Sequence, residues 1–424
     1  MEKSKCPEVR FKRFNESWNQ QTLGDMFLPL SNNTLSRADL NYDNGHIKNI
    51  HYGDILVKYA AVLDCRNDKI PFITDGEISD FKNQFLQSGD VIFADTAEDE
   101  TVGKAIEISA VDDNYIVSGL HTMAYRPKIK LSPYYLGHYF NSNAYHHQLL
   151  SLMQGIKVLS VSRTNLAKTI IKYPSSVTEQ TQIGNFFQNF DQSIALQEKK
   201  LSQTQNLKKA MLGKMFPKAG SMQPEIRLKG FSGDWKYHEL REYCDMFNGD
   251  RGGNYPNADD MVSVGIPFIN AGDLQNGKVD IQNANKITRD KYNQLNGAKI
   301  QFGDIVYCLR GTLGKNAYIN NFTEGTVASS LVVIRPKNII GNFLFQILNS
   351  DIEYRQRTIF DEGAAQPNLS ARNLAGFLIP IPSTEEQKEI GNFFKQLDEM
   401  LILQQQQLQT LKNLKQAFLE KMFV

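Results

Sequence analysis

Two histidines stand side by side at His146 and His147, a Gly-Lys turn reads GTLGKN from Gly311, and four cysteines lie at Cys6, Cys65, Cys244 and Cys308. Each group could do chemistry: hold a metal, cradle a phosphate, or act as a thiol nucleophile. The spacing argues against all three. GTLGKN is too short for a phosphate loop, which needs four residues between its first glycine and the Gly-Lys pair, so it reads as a solvent-facing turn. Adjacent helical residues point in different directions, so the two histidines do not share a metal. The cysteines show no CxxC spacing and read as buried or idle thiols. HExxH, GxSxG and the Asp/Asn-Pro-Pro-Tyr/Phe element of amino-methyltransferases are missing from the sequence, and no carboxylate pair stands out as an acid/base couple. The chain therefore reads as non-catalytic, with no cofactor or metal of its own.

Composition bounds the setting. At 424 residues the chain is too long for one ordinary core, and two to four domains are expected. With 41% hydrophobic and 22% charged residues it is globular in class. Lys+Arg of 47 against Asp+Glu of 46 gives no basic bias, so nucleic-acid binding would have to come from local patches or partner subunits. The opening MEKSKCPEVRFKRF has no apolar signal region, and no run approaches a membrane span, which predicts a cytoplasmic protein.

Internal repetition organises the rest. IGNFFQNFDQSIALQ from Ile183 returns as IGNFFKQLDEMLILQ from Ile390, and residues 183–216 align with 390–423 at about half the positions. PEVRFKRFNESW from Pro7 is answered by PEIRLKGFSGDW from Pro224, each leading into a DMF. Fainter echoes follow: GDVIF and GDIVY from Gly89 and Gly303, YRPK and IRPK ending at Lys128 and Lys337, and Ser162 with Asn165-Leu166 against Ser370 with Asn373-Leu374. The order predicts a first variable domain at 1–175, a long helix at 176–217, a second variable domain at 218–382 and a second long helix at 383–424.

The repeated segments carry a heptad seam. Ile183, Phe187, Phe190, Ile194, Gln197 and Leu201 follow a 4-3 spacing in the first, continued by Leu207, Met211 and Met215. Ile390, Phe394, Leu397, Leu401, Gln404 and Leu408 do so in the second. Each begins with a capping signature at Thr178 or Ser383. A helix of roughly 38 residues, about 57 Å long, cannot bury one face alone and needs its copy. Gln197 and Gln404 occupy equivalent seam positions; they either fix register as buried amides do or mark where the seam opens. The variable regions read as α+β, with short β-rich runs between Gly/Asn/Asp turns and one amphipathic helix each, near 133–153 and 342–360. The fold class is thus α+β: two mixed domains separated by two long helices that form an antiparallel coiled coil about a pseudo-two-fold axis.

These residues carry a resemblance. EQTQIGNFFQNFDQSI after YPSS, EQKEIGNFFKQLDEML after IPST, and EGAAQPNLSARNL at 362–374 resemble the specificity subunit of type I restriction-modification enzymes, over essentially the whole chain. The resemblance implies a subunit whose two target-recognition domains each read half of a bipartite, asymmetric double-stranded DNA site. Two methyltransferase (modification) subunits would bring S-adenosylmethionine, and two motor-nuclease (restriction) subunits would bring ATP and Mg. The helices would set the spacer and dock the methyltransferase subunits. The first copy departs from the pattern, reading MQGIKVLSVSRTNL where the second has Gln-Pro-Asn-Leu. A coiled-coil interaction scaffold without DNA reading is the alternative, although it leaves unexplained why the domains diverged and the helices did not.

Basic and amide residues in Gly/Asn-rich loops are the candidates for base contact: Arg66, Asn67, Lys69, Lys157, Arg163 and Asn165 in the first domain, and Arg251, Asn254, Arg310, Lys315, Gln366, Asn368 and Arg372 in the second. Arginine bridges guanine O6/N7, and Asn or Gln bridges adenine N6/N7. Each, taken singly, reads more readily as a solvated side chain or a turn cap.

Overall fold

The computed structural model describes residues 6–360 and 368–424. The chain divides into two units, one of residues 1–199 with 406–424 and the other of residues 200–405. Each long helix, Val177–Lys214 and Thr384–Lys421, begins in one unit and ends in the other, and both have the expected 38 residues. Among the described residues no helix is long and apolar enough to cross a membrane.

The first unit is built on a five-stranded sheet in the order Phe27–Pro29, Thr122–Pro127, Val91–Ala94, Ala105–Ser109, Val62–Asp64, antiparallel except for the last pair. A second sheet places Tyr115–Ser118 parallel to Ile47–Ile50. The second unit repeats the plan: Cys244–Asn248, Leu331–Pro336, Ile305–Cys308 and Asn316–Tyr318 form one sheet, and Ile266–Ile269 runs parallel to Thr326–Val327 in another. In each unit a two-stranded ribbon precedes the long helix, Asn19–Thr22 with Ile170–Tyr173 and Lys236–Glu239 with Leu378–Ile381.

The repeated motifs resolve into scaffold contacts. Arg10 of PEVR grips Glu179 through two hydrogen bonds of 2.6 and 2.8 Å, and Arg227 of PEIR grips Glu386 at 2.8 and 2.7 Å. Both carboxylates are buried. The glutamine that follows each glutamate ties the helix start to its own domain: Gln180 accepts from Ser132 N and donates to Pro174 O, and Gln387 accepts from Ile340 N and donates to Pro382 O. Gly184 and Gly391 of the IG pairs lie against neighbouring backbone; a Cβ on Gly184 would come 2.7 Å from Pro133 O. The echoed Asp90 and Arg126 form a forked pair at 2.8 and 2.7 Å, as Asp304 and Arg335 do at 2.8 Å.

Aromatic packing completes each unit with the far end of the other helix. Phe187 stacks on Phe423, with Trp18 edge-on, in the first unit. Phe394 stacks on Phe216, with Trp235 edge-on, in the second. Backbone hydrogen bonds join Val9 N to Lys421 O and Ile226 N to Lys214 O, both at 2.9 Å. The pairing is antiparallel within each unit, since partners ascend on one helix as they descend on the other: Asp191 with Lys415 and Gln197 with Gln407 in the first, Lys208 with Asp398 and Phe216 with Phe394 in the second.

Along the seam Ile183, Phe187, Ile390, Phe394 and Leu397 are buried, and Phe190, Ile194, Leu201, Leu401 and Leu408 are half-buried. Gln197 is a buried amide donating to Gln407 at 3.1 Å, as the register reading requires, while Gln404 is half-buried. Three expectations are corrected. Leu207 lies off the stripe and is exposed, as is its equivalent Leu414; Lys208 and Lys415 hold the seam positions beside them and pair with aspartates. Ser176, not Thr178, caps the first long helix, because Glu179 N reaches the Ser176 hydroxyl and Thr178 is already inside the first turn. The single amphipathic helix expected in each domain is two short ones, Tyr135–Phe140 with Asn143–Leu150 and Gly341–Ile347 with Asp351–Phe360. Asn141 and Ser142 bond back to Gly137 O and Tyr139 O, as Asn349 and Ser350 do to Phe345 O and Ile347 O; these local bonds end the first helix of each pair.

Two buried titratable groups in the first unit give it a testable pH response. The Glu107 carboxyl accepts from Tyr134 N and Gly137 N, yet burial pushes it up to about 7. The His138 imidazole is pushed down to about 3, chiefly by burial and then by Lys415. Between pH 4.5 and 6.5 the unfolded chain loses the Glu107 proton first, so stability falls as pH rises; it also keeps the His138 proton that the fold refuses, so stability falls as pH drops. Burial raises the Asp191 carboxyl too, so its contribution has the same sign as that of Glu107. Glu107→Gln should therefore make stability climb with pH from 5 to 6.5, relative to the parent, by up to about 1.4 kcal/mol per pH unit, and His138→Gln should tilt it the other way within the same limit. The chain has two tryptophans, one in each unit. Urea titrations of a Trp235→Phe background read through Trp18 check this for the first unit alone.

Candidate nucleic-acid interface

The interface candidates are set by the C-terminal ends of two equivalent strands, Val91–Ala94 and Ile305–Cys308, where the repeated scaffold stops and unlike loops begin. In the second unit these loops converge. Leu309 N donates to Ser330 O and Leu369 N to Leu309 O, which brings Arg310 beside Asn368, the guanidinium Nε lying 3.3 Å from Asn368 Oδ1. Ser370 caps the helix Ala371–Ala375 by accepting from Asn373 N, and Arg372, within that helix, is exposed. The loop carrying Arg251 and Asn254, both exposed, is pressed against the same end, since a Cβ on Gly249 would meet Val327 O and Ala328 O. Lys315 follows the Gly311 turn and donates to Ala271 O at 3.1 Å. That turn links two antiparallel strands, as its sequence implies. Gln366 lies outside the described residues.

The first unit splits its candidates. Arg163 opens the helix Arg163–Ala167, capped by Ser162 through Asn165 N, and donates to Asn32 Oδ1 at 2.9 Å with its guanidinium 5.8 Å from the Tyr125 ring centre. Lys157 is exposed in the segment just before it. Arg66, Asn67 and Lys69 follow Asp64, which pairs with Ser109 at the opposite end of the sheet. There Arg66 forms an exposed ion pair with Asp112, and Asn67 closes its own turn on Asp64. They do not join Arg163.

Other side chains stand beside Arg163 instead. Asn32 donates to Gly119 O, Asn33 donates to Asn49 Oδ1 at 2.8 Å, and His121 lies 3.2 Å from Asp95 with Tyr52 edge-on to its ring. His51 beside them is held below its ordinary value, first by burial and then by Arg37, whose own guanidinium is bound to Asp54. The amide-rich SNNT from Ser31, directly after a strand, was the available signal. The two ends thus present forked donors and amides on the same framework with different side chains. Among the described residues no cluster of three or more His, Cys, Asp or Glu could hold a metal; Cys65, Cys244 and Cys308 are buried free thiols.

The family model for the type I restriction modification DNA specificity domain matches twice, at residues 15–206 and 232–413. The chain belongs to this family. As a type I specificity subunit, it is 23% identical over 428 residues to the protein of Methanocaldococcus jannaschii assigned as the MjaX type I restriction enzyme specificity subunit, covering 95% of this chain and 92% of that one. Its fold is shared with the S subunit of the type I restriction-modification system from M. genitalium, with a TM-score of 0.64 over 99% of both chains at 15% identity. It is also shared with a chain from a structure concerned with complex assembly and conformational transition of the type I R-M system, with a TM-score of 0.53, 17% identity and coverage of 95% and 96%. Both matched stretches of the specificity subunit run from a domain into its long helix.

Proposed function

We propose that each unit of this specificity subunit reads one half of a bipartite, asymmetric DNA site through its strand-end loops, and that the long helices set the spacer and dock two methyltransferase subunits. Those partners would supply S-adenosylmethionine, and motor-nuclease subunits would supply ATP and Mg-dependent cleavage. One observation carries the reading: the motifs shared by the two copies are spent on scaffold contacts such as Arg10–Glu179 and Asp90–Arg126, whereas the loops on that scaffold differ. Unlike half-sites require unlike donors at the base edges, while phosphate contacts need no such variety.

Exchange of residues 20–173 for those of a relative, leaving both long helices untouched, tests this. Sequencing of methylated genomic DNA should show one half of the motif replaced, the other half and the spacer unchanged. Alteration of both halves would refute independent reading.

A further inference from the structure

The hairpin at residues 154–160 of the first unit has an apolar tip that the scaffold leaves bare. Its stem is firmly held: Gln154 and Ser160 exchange backbone hydrogen bonds of 2.9 and 2.8 Å, and Leu159–Ser160 pairs with Thr96–Ala97 beside the main sheet. Met153 and Leu159 pack on the core of the unit. Gly155 has φ +123°, and a Cβ there would lie 1.9 Å from Val158 O, so the tight tip requires glycine. Beyond that stem Ile156 is 100% exposed and Val158 51% exposed, with Lys157 between them.

Single exposed apolar side chains are ordinary. Here, however, two β-branched residues with Lys157 between them stand on a hairpin closed by Gln154 and Ser160, one strand away from Asp95 and His121, and lead on to Arg163. We propose that Ile156, supported by Val158, is a wedge that enters a base step of duplex DNA in the first half-site, with Lys157 on the adjoining phosphate. Apolar wedges of this kind unstack a step and kink the duplex, a cost offset by the added contact. The ribbon is too short to lie along a groove as a reading element; only its tip can reach. This rests on the proposal that the first unit reads DNA, and it assigns recognition at one step to deformability instead of hydrogen bonding.

The test uses the full complex of this chain with its methyltransferase subunit and a duplex of the recognised sequence carrying 2-aminopurine at successive positions other than the methylated adenine and its neighbours, since a methyltransferase takes its target base out of the stack. Binding should raise the fluorescence at one step of the first half-site. Ile156→Ala should abolish that rise and weaken specific binding about tenfold, while leaving the salt dependence, which counts phosphate contacts, unchanged; Ile156→Leu should keep the rise. An unaltered signal in Ile156→Ala/Val158→Ala overturns the wedge, as does failure of that variant to join the methyltransferase subunit, which would make the tip a protein contact. A wild-type complex with no sequence-selective binding would overturn the functional reading itself, and shows before any variant is compared.

Discussion

Replacement of Arg227 by alanine should destabilise the second unit by about 3–5 kcal/mol, because it strands the buried Glu386 carboxylate without its partner. The guanidinium also donates to the carbonyls of Ser232 and Gly233, so its loss frees the turn ahead of Trp235 as well. Urea unfolding in a Trp18→Phe background, followed through Trp235, should show the midpoint fall by about 1–2 M. Arg227→Met with Glu386→Leu removes both charges and should recover most of the loss, since a buried pair replaced by apolar groups of similar size is often neutral. Arg10→Ala is the counterpart for the first unit and Trp18. A Trp235 transition that stays in place would mean that the pair does not hold the helix start to its domain.

Lengthening both long helices by four residues should move the two half-sites apart on DNA while sparing both. The insertion points are 199/200 and 405/406, where each helix passes from one unit to the other, so the contacts inside each unit are not interrupted. Four residues add about 6 Å and turn the helix by about 400°, a net of some 40°. At the 3.4 Å rise of duplex DNA that is one or two base pairs. The methylated motif should therefore gain one or two unspecified positions in its spacer, read by sequencing of methylated DNA. Two residues instead of four rotate the seam by about 200° and should abolish methylation. An active four-residue variant with its spacer unchanged would separate the helices from any measuring role.

The long helices, the duplication and the α+β class were legible because they rest on local periodicity and on helical repeats that align without a gap. The purpose of the repeated motifs was not, since their partners are far apart in sequence: Arg10 and Glu179 are separated by 169 residues. Lys208 and Lys415 escaped for another reason. A heptad reading selects apolar residues, and here the seam position is filled by a lysine whose aspartate lies on the other helix. The interface was legible only by residue type. Arg66, Asn67 and Lys69 share the composition of a recognition loop, but strand order places them at the end of the sheet opposite Arg163, and composition carries no strand order. Asn32 and Asn33, which stand beside Arg163, were not singled out because their bonds to Gly119 O and Asn49 look like ordinary turn chemistry until the strands are paired.

Each unit is finished by a Lys-Met-Phe end borrowed from the helix of the other repeat, Phe423 onto Phe187 and Phe216 onto Phe394. Either borrowed end therefore presents the same aromatic to the same socket. In genetic terms the helices act as standard couplings: a recombination event that brings in a foreign domain between them inherits a ready-made socket and plug, and need invent nothing but its loops. If each unit reads its own half of the site, as proposed, new recognition can then arise in one such exchange, with the old half kept intact.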